Sequence, residues 1–218
     1  MRRMRVSCAA VLRVRDDNTH VLFHANSRPG AFTPPGGVFK YFDAATDLLD
    51  RLGFHPERWT DLGVAMRCDL RGFLPASGVS GFLRWFDSGA YRESSEECLI
   101  RELAEELGEV GFPELADDLG GIRFAHIRTV VEGPAPLPHK PYQQLRHLEF
   151  YDLVCTDRRS LRLREALFRL AEDEGVTTVI GASSDDILYG RAGRALITPH
   201  TAYLVGGVRT RPDLPPIR

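Results

Sequence analysis

The sequence has few cysteines, and their spacing argues against a fold stabilised by zinc or by disulfides. Its 218 residues include four, Cys8, Cys68, Cys98 and Cys155, and no two of them form a CxxC pair. Scattered cysteines of this kind argue against a zinc site and against a disulfide framework. They suit a reducing compartment, so we expect a cytoplasmic protein.

An excess of one charge and a long apolar run are also missing. Lysine and arginine number 28, aspartate and glutamate number 30, and the formal net charge is -2. This balance implies no general polyanion-binding surface, and without a basic helix we expect no sequence-specific binding of nucleic acid. No stretch is apolar enough to cross a bilayer, and Arg13 and Arg15 interrupt the first apolar run too early for a signal peptide. We therefore expect no contact with a membrane.

What is present is the composition of an ordinary globular domain, with 43% hydrophobic and 27% charged residues. Periodicity predicts strands over 4–15, 19–25, 122–132, 147–155 and 176–180, and helices over 43–52, 92–107 and 160–174. Gly53 and Gly108 are placed to end the first two helices. The stretch 54–91 reads as irregular, 195–206 is ambiguous, and the last ten residues read as a loose tail. The mixture of strands and helices favours one α/β or α+β domain over residues 1–218.

One predicted helix carries an unusual amount of negative charge. On a helical wheel of residues 92–109, the apolar positions Leu99, Leu103 and Leu107 form a stripe that faces a core. A second face collects Glu102, Glu105, Glu106 and Glu109 at i, i+3, i+4 and i+7. Like charges at these spacings repel by roughly 0.2–0.5 kcal/mol per pair. Negative charge in the last turn also faces the negative end of the helix dipole, at a cost of roughly 0.3–1 kcal/mol for each exposed side chain.

Two interpretations of this acidic face stay open on composition alone. It is a solvated surface stripe in which Arg101 pairs with Glu97 or Glu105 at four-residue spacing. Alternatively, a divalent cation removes the repulsion, since carboxylates one turn apart can share a hard cation such as Mg²⁺.

The spacing around this helix resembles the Nudix box, the signature of Nudix hydrolases. Glu93, seven residues and then "RELAEELG" (101–108) match every fixed position of the second half of that signature. Two positions depart from it. Glu109 occupies the closing aliphatic position, and Asp87 stands where the first glycine of the signature is expected.

The missing glycine has a candidate far upstream. The segment "TPPGGVFKY" (33–41) is similar to the Pro-Gly-Gly that opens the box. If Gly37 is the box glycine, the 55 residues 38–92 replace the usual five, and the signature is split by an insertion. This hypothesis predicts that Gly36 and Gly37 lie within a few ångströms of the Glu102 and Glu105 carboxylates, so that the glycines come back to meet Glu102, Glu105 and Glu106. It leaves a C-terminal extension, about 160–218, without an assigned role.

The resemblance implies a fold, a metal and a set of site residues. The Nudix fold is an α/β/α sandwich around a mixed sheet. Mg²⁺, or Mn²⁺ in its place, would be held by Glu102, Glu105 and Glu106, with the Gly36 carbonyl as an additional ligand. Glu93 and Arg101 would be the structural members of the site, Arg101 orienting the carboxylates by charge-assisted hydrogen bonds.

The family's chemistry suggests candidates outside the box. Family members hydrolyse a nucleoside diphosphate linked to another group, with a carboxylate as general base. Glu132 and Glu149, on or beside the late strands, are candidates for that base or for a further ligand. Candidate substrate contacts are Arg28, Gly36, Gly37, Lys40, and His139, Lys140, Tyr142 and Arg146 of the loop 133–146, whose ring and cations suit a nucleotide. Each of these residues is equally explained as a structural or solvated side chain, and Trp85 and Phe86 are better explained as core.

Three short motifs of the chain are "PGAFTPPGGVFKYF" (29–42), "DLRG" (69–72) and "FLRWF" (82–86). Their combination resembles one bacterial subgroup, the SMODS-associated Nudix type. That subgroup occurs near nucleotide second-messenger and antiphage genes. The first functional hypothesis is metal-dependent hydrolysis of the diphosphate linkage of a nucleoside diphosphate-type substrate. The second is a module that senses a nucleotide without turning it over, and a third, a non-hydrolytic isomerase using Cys98, ranks below both. Homodimers are frequent in the family.

Overall fold

The computed structural model describes residues 3–57, 68–137 and 140–215, which form twelve strands and five α-helices. The strands are β1 Arg3–Arg13, β2 Arg15–Asp16, β3 Thr19–His24, β4 Ala31–Thr33, β5 Gly36–Val38, β6 His55–Pro56, β7 Arg71–Pro75, β8 Arg123–Pro136, β9 Gln143–Val154, β10 Val179–Ser183, β11 Arg191–Ala192 and β12 Ala195–Ile197. The helices are α1 Thr46–Leu52, α2 Val79–Ser88, α3 Ser95–Glu109, α4 Arg158–Glu172 and α5 Ser184–Tyr189.

The contacts between residues divide these elements into two compact units. The first unit comprises Met1–Ala10, Gly37–Leu99 and Thr129–Glu149. The second unit comprises Val11–Gly36, Ile100–Arg128 and Phe150–Arg218. Strands β1, β8 and β9 and helix α3 contribute residues to both units. The prediction of one domain over 1–218 stays a prediction.

The first unit is built on a sheet in the order β6-β7-β1-β9-β8, with β5 paired to β1. Strands β1 and β7 are antiparallel, with Val6 opposite Gly72. Rings fill the unit's core, as Phe54 stacks on Phe82 with centroids 5.4 Å apart, and Phe39 meets Phe86 edge-on at 5.2 Å.

The prediction that residues 54–91 are irregular is wrong for much of that stretch. It contains β6, β7 and α2. Phe82, Trp85 and Phe86 lie at i, i+3 and i+4 of α2 and are buried, as the interpretation of Trp85 and Phe86 as core predicted. This helical spacing was not recognised in the sequence because the segment also contains glycines and serines, which favour turns.

The second unit is built on a sheet in the order β10-β3-β4-β12-β11, with β2 paired to β3. Strand β12 runs parallel to β4, whereas β3 is antiparallel to both β4 and β10. Helix α4 packs on β3 and β10 with buried Leu163 and Leu167. It begins at a capping box in which the Asp157 side chain accepts from the Ser160 N–H and the Ser160 side chain accepts from Asp157. The predicted α/β class with mixed strand directions is therefore confirmed.

Element bounds differ from the predictions where turn residues were ambiguous. The strands predicted over 4–15 and 19–25 and the helices predicted over 43–52 and 160–174 are present to within a few residues. The strand predicted over 176–180 lies three residues later, in β10, and the ambiguous 195–206 contains β12 and a 3-10 helix, Pro199–Leu204. Much of the predicted loop 133–146 belongs to β8 and β9, whose prolines and glycine had suggested a loop.

The acidic helix α3 also runs past its predicted end at Gly108. It continues to Glu109, and the Val110 N–H donates to the Glu106 carbonyl at 2.9 Å. The chain then turns at Gly111, whose φ is 98°. Gly108 is therefore a helical residue, and Gly111 occupies the left-handed position that favours glycine.

This difference predicts opposite effects for two alanine substitutions. A Cβ at Gly108 would meet nothing within 4 Å, so Gly108→Ala should raise the free energy of unfolding by about 0.5–1 kcal/mol through helix propensity. Gly111→Ala should lower it, because alanine is strained at that φ. Urea unfolding of the two variants measures both values. A loss of stability in Gly108→Ala would contradict the helical assignment of this position.

The second unit holds a buried histidine, His20 on β3. Its exposed fraction is 3%, and its Nδ1 has no hydrogen-bond partner among the described residues. Burial lowers the pKa of His20, and the nearby Arg13 and Arg15 guanidinium groups lower it further, whereas a hydrogen bond to the Ala182 backbone and the Asp152 carboxylate raise it. The folded protein therefore keeps this imidazole neutral at pH values where the unfolded chain takes up a proton.

That shift sets the sign of a pH dependence. Because the pKa is lower in the folded state, the unfolded chain binds more protons below about pH 6.5, and stability should fall as the pH falls through that value. His20→Phe should show a smaller loss of unfolding free energy between about pH 7.5 and about pH 5.5 than the wild-type protein. Denaturant unfolding at the two pH values tests this, and an equal loss in both proteins would exclude His20 as a contributor.

Among the described residues, no helix is both long enough and apolar enough to cross a membrane.

Candidate active site

Helix α3 presents the two faces that its sequence predicts. Leu99, Leu103 and Leu107 are buried, with exposed fractions of 0–1%. Glu105 and Glu109 are exposed, and Glu102 and Glu106 are half-buried. The leucine stripe thus fixes the rotation of the helix about its axis, and that rotation turns the glutamates to the opposite face.

The glycine loop, Gly36 and Gly37 at the start of β5, meets this helix, as the hypothesis of a split signature predicted. The Gly36 N–H donates to Oε2 of Glu106 at 2.8 Å, although the two residues are 70 positions apart in the chain. The next residue, Gly37, lies in the first unit, where its carbonyl is 3.7 Å from the Sγ of Cys98 on α3. Gly36 has a φ of 129°, a backbone conformation that a residue with a Cβ rarely adopts. Glycine is therefore needed at this position for the backbone to present its N–H to the carboxylate.

The Glu106 carboxyl group lies in a strongly negative environment. Its pKa is raised well above the usual range, first by burial of the carboxyl group and then by the neighbouring carboxylates Glu102, Glu109 and Glu105. The hydrogen bond from Gly36 acts in the opposite direction and lowers that pKa. Four carboxylates are close enough to act on one another, which is the electrostatic arrangement that a bound cation would stabilise.

Glu109 extends the acidic group by one residue beyond the predicted set. Burial and Glu105 raise its pKa, and a side-chain hydrogen bond with Asn26 lowers it. Sequence reasoning placed Glu109 on the acidic face but treated it as a departure from the signature, and it did not consider Asn26. The segment "NSRPG" (26–30) gave no signal for Asn26, because an asparagine before a turn is explained by the turn alone.

Arg101 supplies positive charge inside this group. Its Nη1 is 2.7 Å from Oε1 of Glu102 and 3.6 Å from Oε1 of Glu105. Both distances fit the orienting contacts that the family resemblance implies, and they hold two of the predicted ligand side chains with one guanidinium group. The roles of Glu102, Glu105 and Arg101 in catalysis stay predictions.

Glu93, the first matched glutamate of the signature, is anchored within the first unit. It is 7% exposed, and its Oε2 accepts the Lys40 N–H at 2.8 Å. The Glu93 N–H in turn donates to the Lys40 carbonyl at 2.9 Å. This reciprocal pairing ties the start of α3 to the segment that follows the glycine loop, which suits the structural role predicted for Glu93. The proposed phosphate contact of the Lys40 side chain stays a prediction.

The candidate substrate and base residues of the first unit have structural partners. Nη1 of Arg146 pairs with Oε2 of Glu132 at 2.9 Å, and Glu149 accepts from the Ser95 hydroxyl at 2.7 Å. Tyr142 packs edge-on against Phe73, with ring centroids 5.1 Å apart. His139 lies outside the described residues.

Arg28 of the second unit contacts the C-terminal tail. Its Nη1 donates to the Leu214 carbonyl at 3.4 Å, and its Nη2 donates to the Pro215 carbonyl. The tail, predicted to be loose, is held again at Arg211, which donates to the Ile187 and Ile197 carbonyls. A phosphate group that binds Arg28 would therefore compete with backbone carbonyls.

The oxygen donors of the carboxylate group are of the type that Mg²⁺ and Mn²⁺ take. Hard cations take oxygen ligands, and Mg²⁺ typically uses one or two carboxylates, with waters and substrate phosphates completing its coordination. Within the ranges 3–57, 68–137 and 140–215, no three Asp, Glu, His or Cys side chains converge closely enough to form a complete ligand set of their own. Glu106, with Glu102 and Glu105 beside it, supplies oxygen donors and excess negative charge without such a closed set.

Comparison with known proteins gives three further findings. A search of curated proteins finds no match. Among solved structures, the chain has a limited likeness to the solution structure of the E. coli ORF135 protein, with 13% identity over 92% of this chain and 85% of the other, and a TM-score of 0.34. The family model described as the SMODS-associated NUDIX domain matches residues 3–205. That match takes in the glycine loop, the whole of helix α3 and most of the segment after residue 160, and the chain therefore belongs to the SMODS-associated NUDIX domain family.

Proposed function

We propose that this protein is a divalent-cation-dependent hydrolase that cleaves the diphosphate linkage of a nucleoside diphosphate-type substrate. The observation that carries the proposal is the 2.8 Å hydrogen bond between the Gly36 N–H and Glu106. It brings Gly36 to the acidic face of α3, as expected if an insertion separates the two halves of the signature, and Glu106 there has three neighbouring carboxylates. Membership of a Nudix-type family supports the same chemistry.

Glu106, Glu102 and Glu105 would hold Mg²⁺, with Mn²⁺ as a substitute, and the Gly36 carbonyl is a further candidate ligand. A bound divalent cation of this kind neutralises the diphosphate and lowers the pKa of a water molecule. Arg101 holds Glu102 and Glu105 in place, so these side chains lose less freedom when a ligand binds.

The proton acceptor is the next requirement of the reaction. Glu132 and Glu149 are the candidates for accepting the proton of the attacking water, because Glu106 would be engaged by the cation. Arg28, Lys40, Tyr142 and Arg146 stay candidates for contacts with the substrate, and dimerisation stays a prediction.

The experiment that tests this function is a product screen. Nucleoside diphosphate-linked compounds are incubated with the protein and Mg²⁺ or Mn²⁺, and products are detected by ³¹P NMR. Metal-dependent cleavage between the two phosphorus atoms is the expected result. Binding of a nucleotide without any product, measured by calorimetry on the same compounds, would overturn the hydrolase and identify a sensing module instead.

A further inference from the structure

A small cavity in the second unit is lined by an unusual number of arginines. Its volume is about 200 Å³, and Arg13, Arg15 and Arg164 line it together with Asp152 and Cys155. The residues come from the end of β1, from β2, from the end of β9 and the residues after it, and from α4. Three guanidinium groups and one carboxylate give this lining a net charge of +2, which is opposite to that of the acidic face of α3.

Two of the arginines are held in place by hydrogen bonds that use only some of their N–H donors. Arg13 donates from Nε and Nη2 to the Asp152 carboxylate at 2.7 Å each, and from Nη1 to the Leu204 carbonyl at 2.9 Å. Arg164 donates from Nε to the Arg15 carbonyl at 3.3 Å and pairs with Asp16 at 2.7 Å. A guanidinium group has five N–H donors, so Arg13 and Arg164 each keep donors beyond these bonds. Because both groups are already fixed, a ligand would lose less binding energy to ordering them.

Arg15 is the third arginine and differs from the other two. It is exposed, and in the described part of the chain its guanidinium group makes no ion pair or hydrogen bond. Arg13 and Arg15 are two positions apart in the chain, and the Arg15 carbonyl accepts a hydrogen bond from Nε of Arg164. Arg15 therefore brings to the cavity a positive charge that has no carboxylate partner within residues 3–57, 68–137 and 140–215, whereas the other two arginines are fixed.

The remaining side chains indicate the sign and the size of a ligand. Burial raises the pKa of the Cys155 thiol, which keeps it uncharged, and its Sγ contacts the Ser160 carbonyl at 3.8 Å. Asp152 is already engaged by Arg13. A cavity of about 200 Å³ is smaller than the roughly 300–1,000 Å³ of sites that enclose drug-sized ligands. It has room for a phosphate or diphosphate group but not for a whole nucleotide.

We propose that this cavity binds a small phosphate-class anion, at a site separate from the carboxylate group and independent of metal. Guanidinium groups match the oxygens of phosphate with charge-assisted hydrogen bonds. Arg15 provides a charge that no described carboxylate neutralises, and Arg13 and Arg164 provide fixed donors. The anion is either free phosphate or the terminal phosphate of a larger compound whose remainder stays outside the cavity.

The test is calorimetric titration of the full chain with inorganic phosphate in a chelating buffer, so that metal-dependent binding at the acidic helix does not contribute. Saturable binding is expected, and Arg15→Ala should weaken it by about tenfold or more, as the loss of a hydrogen bond to a charged group does. Arg158→Ala is the matched control, since Arg158 is an exposed arginine of α4 that does not line the cavity.

Every outcome of this titration decides the proposal. No binding to the wild-type protein, or equal weakening in Arg15→Ala and Arg158→Ala, would overturn it, the second result indicating non-specific attraction to surface arginines. A parallel titration with adenosine monophosphate distinguishes the two sources of the anion, since equal affinity indicates that only the phosphate group is recognised. The result does not depend on the hydrolase, because no substrate or metal is present.

Discussion

Glu106→Gln is expected to reduce metal-dependent hydrolysis by about 100-fold or more while leaving the fold intact. Glutamine keeps an oxygen that can accept the Gly36 N–H, but it removes the negative charge that a divalent cation requires. The measurement is the initial rate of product formation with the best substrate of the screen, at several Mg²⁺ concentrations. Added metal should not restore the rate, because the lost interaction is a ligand.

Thermal unfolding in metal-free buffer separates this role from a structural one. Glu102, Glu105 and Glu109 all disfavour the charged form of Glu106, so the neutral glutamine should unfold at the same temperature as the wild-type protein or at a higher one. Glu96→Gln is the matched control, because Glu96 is exposed in the first turn of the same helix. It should leave the rate unchanged and should lower the unfolding free energy by no more than about 0.3–1 kcal/mol, through the helix dipole. A large fall in the unfolding temperature of Glu106→Gln would mean that Glu106 supports the fold rather than a cation.

Gly36→Ala is expected to have the second large effect, and it acts from the other half of the split signature. A residue with a Cβ is strained at a φ of 129°, at a cost of about 1–3 kcal/mol in unfolding free energy. If the backbone relaxes to avoid the strain, its N–H leaves Glu106. Turnover should then fall by about tenfold or more even under conditions where the variant is fully folded, since displaced catalytic groups lose rate steeply.

The double variant shows whether Gly36 acts through Glu106. If the hydrogen bond is the link, Gly36→Ala should reduce the rate much less in the Glu106→Gln background than in the wild-type background. Gly206→Ala is a suitable control, because a Cβ at that second-unit glycine would meet nothing within 4 Å. Wild-type turnover in Gly36→Ala would contradict the assignment of this loop to the active site.

The local features of this site could be predicted from the sequence because they follow from short-range periodicity. The leucine stripe and the glutamate face of α3 are a property of helical geometry, and both are present as predicted. The contact between Gly36 and Glu106 was also predicted, but only because a family pattern linked residues 70 positions apart. No propensity or charge rule would have joined them.

Other features needed the three-dimensional structure. The hydrogen bond between Asn26 and Glu109, and the bonds from Arg28 to the C-terminal tail, each join segments with no shared pattern in the sequence. Helix α2 was missed because its glycine and serine content outweighed its aromatic spacing. The arginine cavity was missed because Arg13, Arg15 and Arg164 read as solvated side chains until β1, β2 and α4 brought them together.

Calorimetric titration of Mg²⁺ into the metal-free protein tests the central assignment most directly, because it requires no knowledge of the substrate. The wild-type protein should bind Mg²⁺ saturably, and Glu106→Gln should weaken that binding by about 10-fold to 100-fold, whereas Glu96→Gln should not. Equal Mg²⁺ affinity in the wild-type protein and Glu106→Gln would contradict the assignment of the acidic face of α3 as a cation site.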